Sequence, residues 1–308
     1  MSSFILRRLL AVIPTFFVVS LTVFLLIHLV PGDPIDSLMR AGSSPALREQ
    51  MAAKYGLDRS LFEQYIIWMG KVLTLDFGTS IIQGRPVAAL IAQNLPSSLT
   101  LGGTAFLFSS LAGIAAGVLA AKYYGTRIDS SITSGILLGS TIPSFWLALL
   151  LILVFAVWLG WVPVSGARGW SSLVLPVIAT GLGGVALVAR VTKVSMIEIG
   201  RQDFVTLLRA KGVSESRIRL QHILRHALVP VISILGLRIG WILGGAITVE
   251  VVFARPGLGS LLIRALNQRD YPLVQGCLLM LSMAVILGTI IGDIAQAAMD
   301  PRQREASK

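Results

Sequence analysis

Six long apolar runs, separated by polar segments, dominate the hydropathy pattern of this chain. A transmembrane helix needs roughly 17 to 25 mostly apolar residues. Six runs fit a membrane span: 9–30, 99–121, 132–161, 173–189, 227–249 and 271–292. The third is over-long and holds Pro143 near its middle, so we expect a kinked or strongly tilted helix there. The pattern predicts an all-α integral membrane protein with six spans and with both termini on one side of the bilayer.

The first run follows Arg7 and Arg8, as the apolar core of a signal peptide would. It is longer than such a core, and it ends in PGDP at 31–34 without a small-residue cleavage site. We therefore interpret residues 1–30 as a retained transmembrane anchor, with a cleaved signal peptide as the alternative.

A polar, basic segment at 190–226 lies between two of the runs and contains eight Lys or Arg residues and three acids. Its first half carries an apolar stripe formed by Phe204, Leu207 and Leu208. This spacing predicts a short amphipathic helix, for which Gly212 is a suitable stop, and Ser214 is a suitable N-cap for a second helix. The second helix would have Leu220, Ile223, Leu224 and Ala227 on one face and Arg217, Gln221 and Arg225 on the other. Such a rigid, sharply turned helix pair offers a soluble partner a surface to bind.

Two regions on the opposite side are long enough to have structure of their own. The loop 31–98 has a moderately helical stretch around 47–55 and an amphipathic stretch at 61–75. It is too short for an independent core, so we expect it to pack on the outer membrane face or against a partner. The segment 256–267 begins with PGLG and has one apolar helical face, formed by Leu258, Leu261, Leu262, Ala265 and Leu266. We predict an amphipathic surface helix there, either a lid on the outer leaflet or an element for gating or partner docking.

Composition supports the membrane assignment, and the distribution of charge orients the chain. Mean hydropathy is +0.80 and 13% of the residues are charged, against about 25% in soluble domains. Fifteen of the 26 Lys and Arg residues fall on the side of the termini and the segment 190–226; ten fall on the other side, six of them in the long loop. The positive-inside rule therefore makes the termini and that segment cytoplasmic. This distribution, with attraction to anionic lipid, accounts for the net charge of +11 without a nucleic-acid partner.

Glycines recur at four-residue spacing within three of the runs, as Gly113 and Gly117, as Gly236, Gly240 and Gly244, and as Gly288 and Gly292. This spacing puts small residues on one helix face, where backbones approach closely in lipid. We interpret these stripes as packing surfaces; smooth faces for helices that slide against each other during transport are the alternative.

Motifs for several kinds of chemistry are missing. A phosphate-binding loop would need Gly where Tyr65 stands and Ser or Thr at Val72, so we expect no ATP hydrolysis by this chain. His222 and His226 have the spacing of zinc ligands, but no Glu follows His222, so we expect neither a metalloprotease nor a metal site. The single cysteine, Cys277, excludes an intramolecular disulfide.

Several motifs resemble the permease subunits of ABC importers, in the dipeptide, oligopeptide and nickel branch. The most specific is the cytoplasmic coupling motif at 209–230, with RAKG followed by V-S and HILRHALVP. The others are RRLLAVIPTF (7–16), LVPGDP (29–34), KYGLDRS (54–60), LDFGTS (75–80), NLPSSLTL (94–101), VEVVFARPGLG (249–259), RDYPLVQG (269–276) and DPR (300–302). The resemblance implies the type I ABC importer permease fold, with six transmembrane helices and a long extracellular loop after the first. It implies an anchor at 1–30, an extracellular region at 31–98, a permease core at 94–301 with coupling helices at 198–226, and a cytoplasmic tail at 302–308.

The resemblance also implies that this chain is not an enzyme and holds no cofactor, because separate ATPase subunits, two chains or one fused chain, would bind ATP and magnesium. Coupling to them is assigned to Thr206, Leu207, Leu208, Arg209, Ala210, Lys211, Gly212, Ser214 and His222. Two departures stand in this motif, Thr206-Leu207-Leu208 in place of Glu-Ala-Ala and His226 where Asn is frequent; they concern which ATPase is accepted. A second, related permease would complete the pathway in the bacterial plasma membrane, and an extracellular binding protein would deliver a di- or oligopeptide.

Two further sets of residues are candidate sites. Arg238 is near the middle of the run 227–249, where an arginine costs about 2.5 to 3.5 kcal/mol, so it should face the bundle interior, a water-filled cavity or a buried acid. Asp293 lies too near the cytoplasmic end to be that acid. Arg238 either pairs with the second permease or lines the pathway, together with Gly240 and Gly244. An outer gate, or docking of the binding protein, is assigned to Glu250, Phe253, Pro256, Gly257, Gly259 and Asp270.

Alternatives remain at this stage. The same importer type could carry a nickel chelate, haem or glutathione instead of a peptide. A secondary transporter would need several ionisable groups deep in the spans. Arg238 is the one ionisable residue deep in a predicted span, so this alternative is less favoured. An integral-membrane enzyme is disfavoured by the missing catalytic motifs.

Overall fold

The computed structural model describes residues 2–29, 58–167, 169–240 and 244–299, and this part of the chain is helical without β-strands. Its helices are α1 (Ser2–Leu29), α2 (Leu61–Leu73), α3 (Val87–Lys122), α4 (Arg127–Thr141), α5 (Ser144–Trp158), α6 (Ser171–Gly200), α7 (Asp203–Ala210), α8 (Glu215–Ile239), α9 (Ile247–Val252), α10 (Leu258–Asn267) and α11 (Tyr271–Met299). The predicted stretch at 47–55, the PGDP turn and the tail 302–308 fall outside the described residues.

The described helices confirm the six predicted spans. Five are single helices long and apolar enough to cross a membrane, namely α1, α3, α6, α8 and α11. The sixth is the pair α4 and α5, which meet at an angle of 102°. The break is at Pro143, which is the N-cap of α5, and the residue before it, Ile142, is extended with ψ 124°. Proline disfavours the helical conformation of the residue that precedes it, so the predicted kink is a full break.

Helix α6 packs against α3 through glycines that allow the two backbones to approach. A Cβ atom on Gly113 would lie 2.6 Å from Val188 Cβ, and one on Gly117 would lie 2.5 Å from Thr192 Cβ. Helix α3 itself begins at Val87, so residues 87–98, assigned to the outer loop from the sequence, are helical and continue into the second span.

Helices α8 and α11 make a second close contact, which confirms two of the predicted small-residue stripes as packing surfaces. A Cβ on Gly236 would lie 2.8 Å from the carbonyl oxygen of Gly292, and one on Gly288 would lie 2.8 Å from Gly240 Cα. The third glycine of the α8 stripe, Gly244, has nothing within 4 Å of that position.

Helix α8 does not coincide with the fifth apolar run, 227–249. Helix α8 begins at Glu215 and ends at Ile239, and a separate short helix, α9, follows. Three glycines at positions 240, 244 and 245 occupy the intervening segment, and glycine is a poor helix former. The helix therefore ends before the apolar run does.

The amphipathic helix expected at 61–75 is present as α2, which starts with a reciprocal cap between Ser60 and Glu63. Its buried residues, Met69 and Val72, pack with Val23 of α1 and Leu279 of α11. The Tyr65 hydroxyl lies 2.9 Å from Ser20 Oγ. One face of α2 therefore packs on helices of its own chain. Its other face exposes Phe62 and Ile66, so packing of this region on the membrane face or against a partner stays a prediction.

Candidate coupling surface and membrane pathway

The basic segment forms the helix pair that the sequence predicts. Helix α7 ends at Ala210, and Gly212 follows with φ +75°, a left-handed conformation that costs an L-residue with a Cβ about 1–2 kcal/mol. The amide of Val213 donates to the carbonyl of Leu208 and closes the turn. Ser214 is at the N-cap position of α8, although its side chain makes no capping hydrogen bond. We refer to residues 203–223 as the tip.

Most members of the two predicted apolar stripes pack inside the chain, Phe204, Leu208 and Leu224 against a buried cluster and Ile223 and Ala227 within it. Val205, Ile218 and Ile223 are buried together with Ala227 and Met196, whereas Leu207 and Leu220 are each 56% exposed. The exposure of Leu220 is explained by α8, which is π-helical over Ile218–Ile223. A π-helical turn spaces hydrogen-bonded residues five apart, so residues 218 and 223 share a face and residue 220 turns outward.

Most of the residues assigned to coupling lie on the outside of the tip. Thr206, Leu207, Arg209, Ala210, Lys211, Gly212 and Ser214 are exposed, and Leu208 and His222 are half-buried. Arg209 Nε donates to a carboxylate oxygen of Glu215 at 2.6 Å across the turn, and this bond raises the pKa of Arg209 above its usual value. The tip therefore exposes Leu207, Leu220 and the Lys211 ammonium around a turn that the Arg209–Glu215 ion pair spans.

The residues assigned to an outer gate are mostly buried. Glu250, Phe253, Gly257, Gly259 and Asp270 are buried, and Pro256 is exposed. The carboxylate of Glu250 accepts hydrogen bonds from Ser98 Oγ at 2.6 Å and from the amides of Gly259 and Ser260 at 2.9 and 3.1 Å. It thus occupies the N-terminal end of α10, where unpaired amides and the helix dipole stabilise an anion.

A second buried carboxylate, that of Asp270, holds another outer segment. It accepts hydrogen bonds from Ser80 Oγ at 2.5 Å and from the amide of Ile81 at 3.1 Å. The loop before α3 is thereby tied to the start of α11. The sequence did not identify Ser80 as the partner of Asp270 or Ser98 as the partner of Glu250. Ser80 lies in the motif segment 75–80 and Ser98 in the motif segment 94–101.

The amphipathic character predicted for 256–267 is confirmed in α10, but its apolar face is not available to the outer leaflet. Leu258, Leu261, Leu262 and Ala265 are buried in one cluster with Val87, Ile91, Val274 and Cys277. The helix therefore packs on α3 and α11 of this chain, and the interpretation as a lid on lipid is corrected.

Arg238 lies against the middle of α6. A Cβ on Gly184 would lie 2.6 Å from Arg238 Cζ, so the absence of a side chain at this position is what admits the guanidinium. Arg238 Nη1 is buried without a hydrogen-bond partner among the described residues.

Gly240, also assigned to the pathway, is buried in the contact between α8 and α11, whereas Gly244 is exposed. Asp293 instead pairs with Arg8, at 3.2 Å.

A cavity of about 420 Å³ opens between α3, α4 and α6 beside the tip. Its lining includes Arg190, Lys193, Glu198 and Arg201. Lys193 forms an ion pair with Asp129 of α4 at 2.5 Å, which links α4 to α6 at this end of the molecule.

Comparison with known proteins assigns the chain to a protein family. Residues 113–305 match the family described as the binding-protein-dependent transport system inner membrane component, and residues 1–102 match its N-terminal family. This chain belongs to that family.

Relatives support the assignment over nearly the whole chain, and a solved structure supports the fold over part of it. The glutathione transport system permease protein GsiC of Escherichia coli K12, like those of Shigella dysenteriae serotype 1 and Shigella boydii serotype 4, is 38% identical over 304 residues and covers 99% of both chains. A chain of the MetNI methionine ABC transporter in an inward-facing conformation is 18% identical, with a TM-score of 0.59 over 68% of this chain and 96% of that one.

The chain is therefore a permease subunit of an ABC importer, of the type I fold and of the peptide and nickel branch. It is a multi-pass inner membrane protein and a transport component, not an enzyme. Membership of this family implies an ATPase and a substrate-binding protein as partners.

Proposed function

We propose that this chain forms half of the translocation pathway of an ATP-driven importer of small peptides, with a second, related permease as its partner. The tip carries this proposal. It is rigid, because the turn at Gly212 is closed by a backbone hydrogen bond and spanned by the Arg209–Glu215 pair. It also exposes Leu207 and Leu220 on an otherwise polar surface, a combination that suits insertion into a groove of an ATPase, which itself binds ATP and magnesium.

The charge distribution supports a cytoplasmic position for the tip and both termini. The Arg8–Asp293 ion pair joins α1 and α11 at the end that we assign to the cytoplasm. The outer elements, α2 and α10, then face the binding protein. Gating by the outer residues stays part of this proposal, with Glu250 and Asp270 as the groups that hold the outer helices in place.

The substrate proposed here is a small peptide with a free carboxylate, and glutathione is the first candidate. The relatives that match 99% of this chain are named for glutathione transport, and glutathione is itself a modified tripeptide. A nickel chelate or haem is the second kind of substrate to be tested.

Reconstitution tests the function. The permease pair, the ATPases and the binding protein are placed in liposomes, and ATP-dependent uptake of labelled glutathione, a dipeptide, a nickel chelate and haem is compared. We expect ATP-dependent uptake of one of the two peptides, and none with an ATPase that cannot hydrolyse ATP. Uptake driven by an ion gradient without ATP would instead identify a secondary transporter, and uptake of the chelate or haem alone would overturn the peptide proposal.

A further inference from the structure

Two buried polar groups near the middle of the membrane-spanning bundle lack partners. Arg238 Nη1 of α8 and Thr180 Oγ1 of α6 are both buried, and neither has a hydrogen-bond partner among the described residues. Since unpaired buried polar groups are costly, and a buried guanidinium most of all, both atoms call for an acceptor or donor that this part of the chain does not supply.

The two groups are related by their positions along α6. Arg238 contacts α6 at Gly184, and Thr180 is one helical turn away from Gly184, about 6 Å along the axis. Residues four apart share a helix face. Thr180 therefore lies on the face of α6 that Arg238 contacts, and we refer to the guanidinium and this hydroxyl together as the polar patch.

This patch borders on an open part of the α6 surface. Thr180, Gly183, Gly184 and Leu187 follow the spacing i, i+3, i+4 and i+7, and so form one continuous face. Arg238 covers Gly184, whereas Gly183 and Leu187 are exposed. Nothing lies within 4 Å of where a Cβ on Gly183 would be, so no residue described in this chain covers the α6 surface at this position.

We propose that Arg238 and Thr180 bind the carboxylate of a peptide in transit. The guanidinium donates from its planar fork, the geometry that matches a carboxylate, and the threonine hydroxyl donates a further hydrogen bond. This inference rests on the proposed function, and it adds a feature of the substrate that the passage recognises within the membrane.

A comparison of two substrates isolates this contact. Uptake of a peptide with a free C-terminal carboxylate is measured against uptake of the same peptide with a C-terminal amide, in wild type and in Arg238→Gln. Because the preference of the binding protein is common to both complexes, the change in the carboxylate-to-amide ratio reports on Arg238 alone. We expect the variant to lower this ratio by about tenfold, the usual effect of a hydrogen bond to a charged group.

Supporting variants separate binding from structure. Thr180→Val should lower the ratio less, since a neutral donor is lost. Gly184→Ala should lower it without removing the charge, because the methyl group displaces the guanidinium. Arg127→Gln removes an exposed charge at the start of α4 and should leave the ratio unchanged.

Three outcomes would overturn the inference. An unchanged ratio in an assembled Arg238→Gln complex excludes the carboxylate contact. An equal decrease in Arg127→Gln shows a general effect of charge. The third outcome combines two results. The permease pair fails to assemble in both Arg238→Gln and Arg238→Lys, and Gly184→Ala has a normal carboxylate-to-amide ratio. This outcome assigns the arginine to the contact with the second permease. By contrast, absence of any ATP-dependent uptake by wild type overturns the proposed function itself.

Discussion

At the scale of single residues, Gly212 is needed for its backbone and not for its small volume. Its φ is +75°, and nothing lies within 4 Å of the position a Cβ would take. A side chain added there meets no neighbour, so a substitution acts through the left-handed conformation alone. Gly125, between α3 and α4, has φ +78° and equally open surroundings, and therefore provides a matched control.

We predict that Gly212→Ala uncouples ATP hydrolysis from transport. The added side chain strains the left-handed conformation by about 1–2 kcal/mol, and opening of the turn relieves this strain. Leu207 and Leu220 would then lose their fixed positions. Uptake in liposomes should fall several-fold while the complex still assembles. Gly125→Ala carries the same strain and should transport normally. Equal uptake by both variants and wild type would remove Gly212 from the coupling mechanism.

At the scale of helices, the closest packing is between α8 and α11. The Gly236–Gly292 and Gly240–Gly288 contacts bring backbone against backbone, so an added side chain cannot be accommodated by a change of rotamer. Gly103 and Gly135 are also helical, but nothing lies within 4 Å of their Cβ positions.

We therefore expect Gly292→Ala to destabilise the protein by about 1–3 kcal/mol, as overpacking does, and to lower the midpoint of thermal unfolding in detergent. Gly135→Ala should leave the midpoint unchanged or raise it slightly, since alanine is the better helix former. A midpoint for Gly292→Ala equal to that of wild type would show that α8 and α11 pack differently from this structure.

The sequence predicts some features of the helices and not others. Hydropathy predicts the spans and Gly212 predicts the turn, because both depend on neighbours along the chain. The pairs Ser98–Glu250 and Ser80–Asp270 join residues 152 and 190 positions apart, and such pairing depends on the tertiary fold. Leu220 was placed on the wrong face because a π-helical turn shifts the helical period, and local apolar spacing does not reveal such a turn.

At the scale of the whole molecule, the lone cysteine makes the orientation testable. Cys277 is fully buried, so the unmodified chain should not react with a membrane-impermeant maleimide. Ser214→Cys should react in inside-out vesicles and Pro256→Cys in right-side-out vesicles, because both residues are exposed and lie on opposite sides in the proposed orientation. The reverse pattern would invert the topology.

Docking of the binding protein should protect the outer elements. Hydrogen exchange of the complex, with and without the binding protein, is expected to slow in the segments 58–86 and 256–267 on binding, and to stay unchanged in the tip when the ATPases are already in place. Since the apolar face of α10 is buried in this chain, only its exposed side, near Pro256 and Arg264, is free to bind. No protection in either outer segment would place docking elsewhere.

Helix α8 joins the two ends of this mechanism in a single rod. It starts in the turn that we propose to face the ATPases and continues to Ile239, which places Arg238 roughly 34 Å from Glu215 at 1.5 Å per residue. A tilt of about 10° around the end at Glu215 would carry the guanidinium sideways, perpendicular to the helix axis, by roughly 6 Å, slightly more than the rise of one helical turn. We therefore expect a small displacement of the ATPases to move the guanidinium sideways within the membrane by about the length of one helical turn, and so to change its distance from α6.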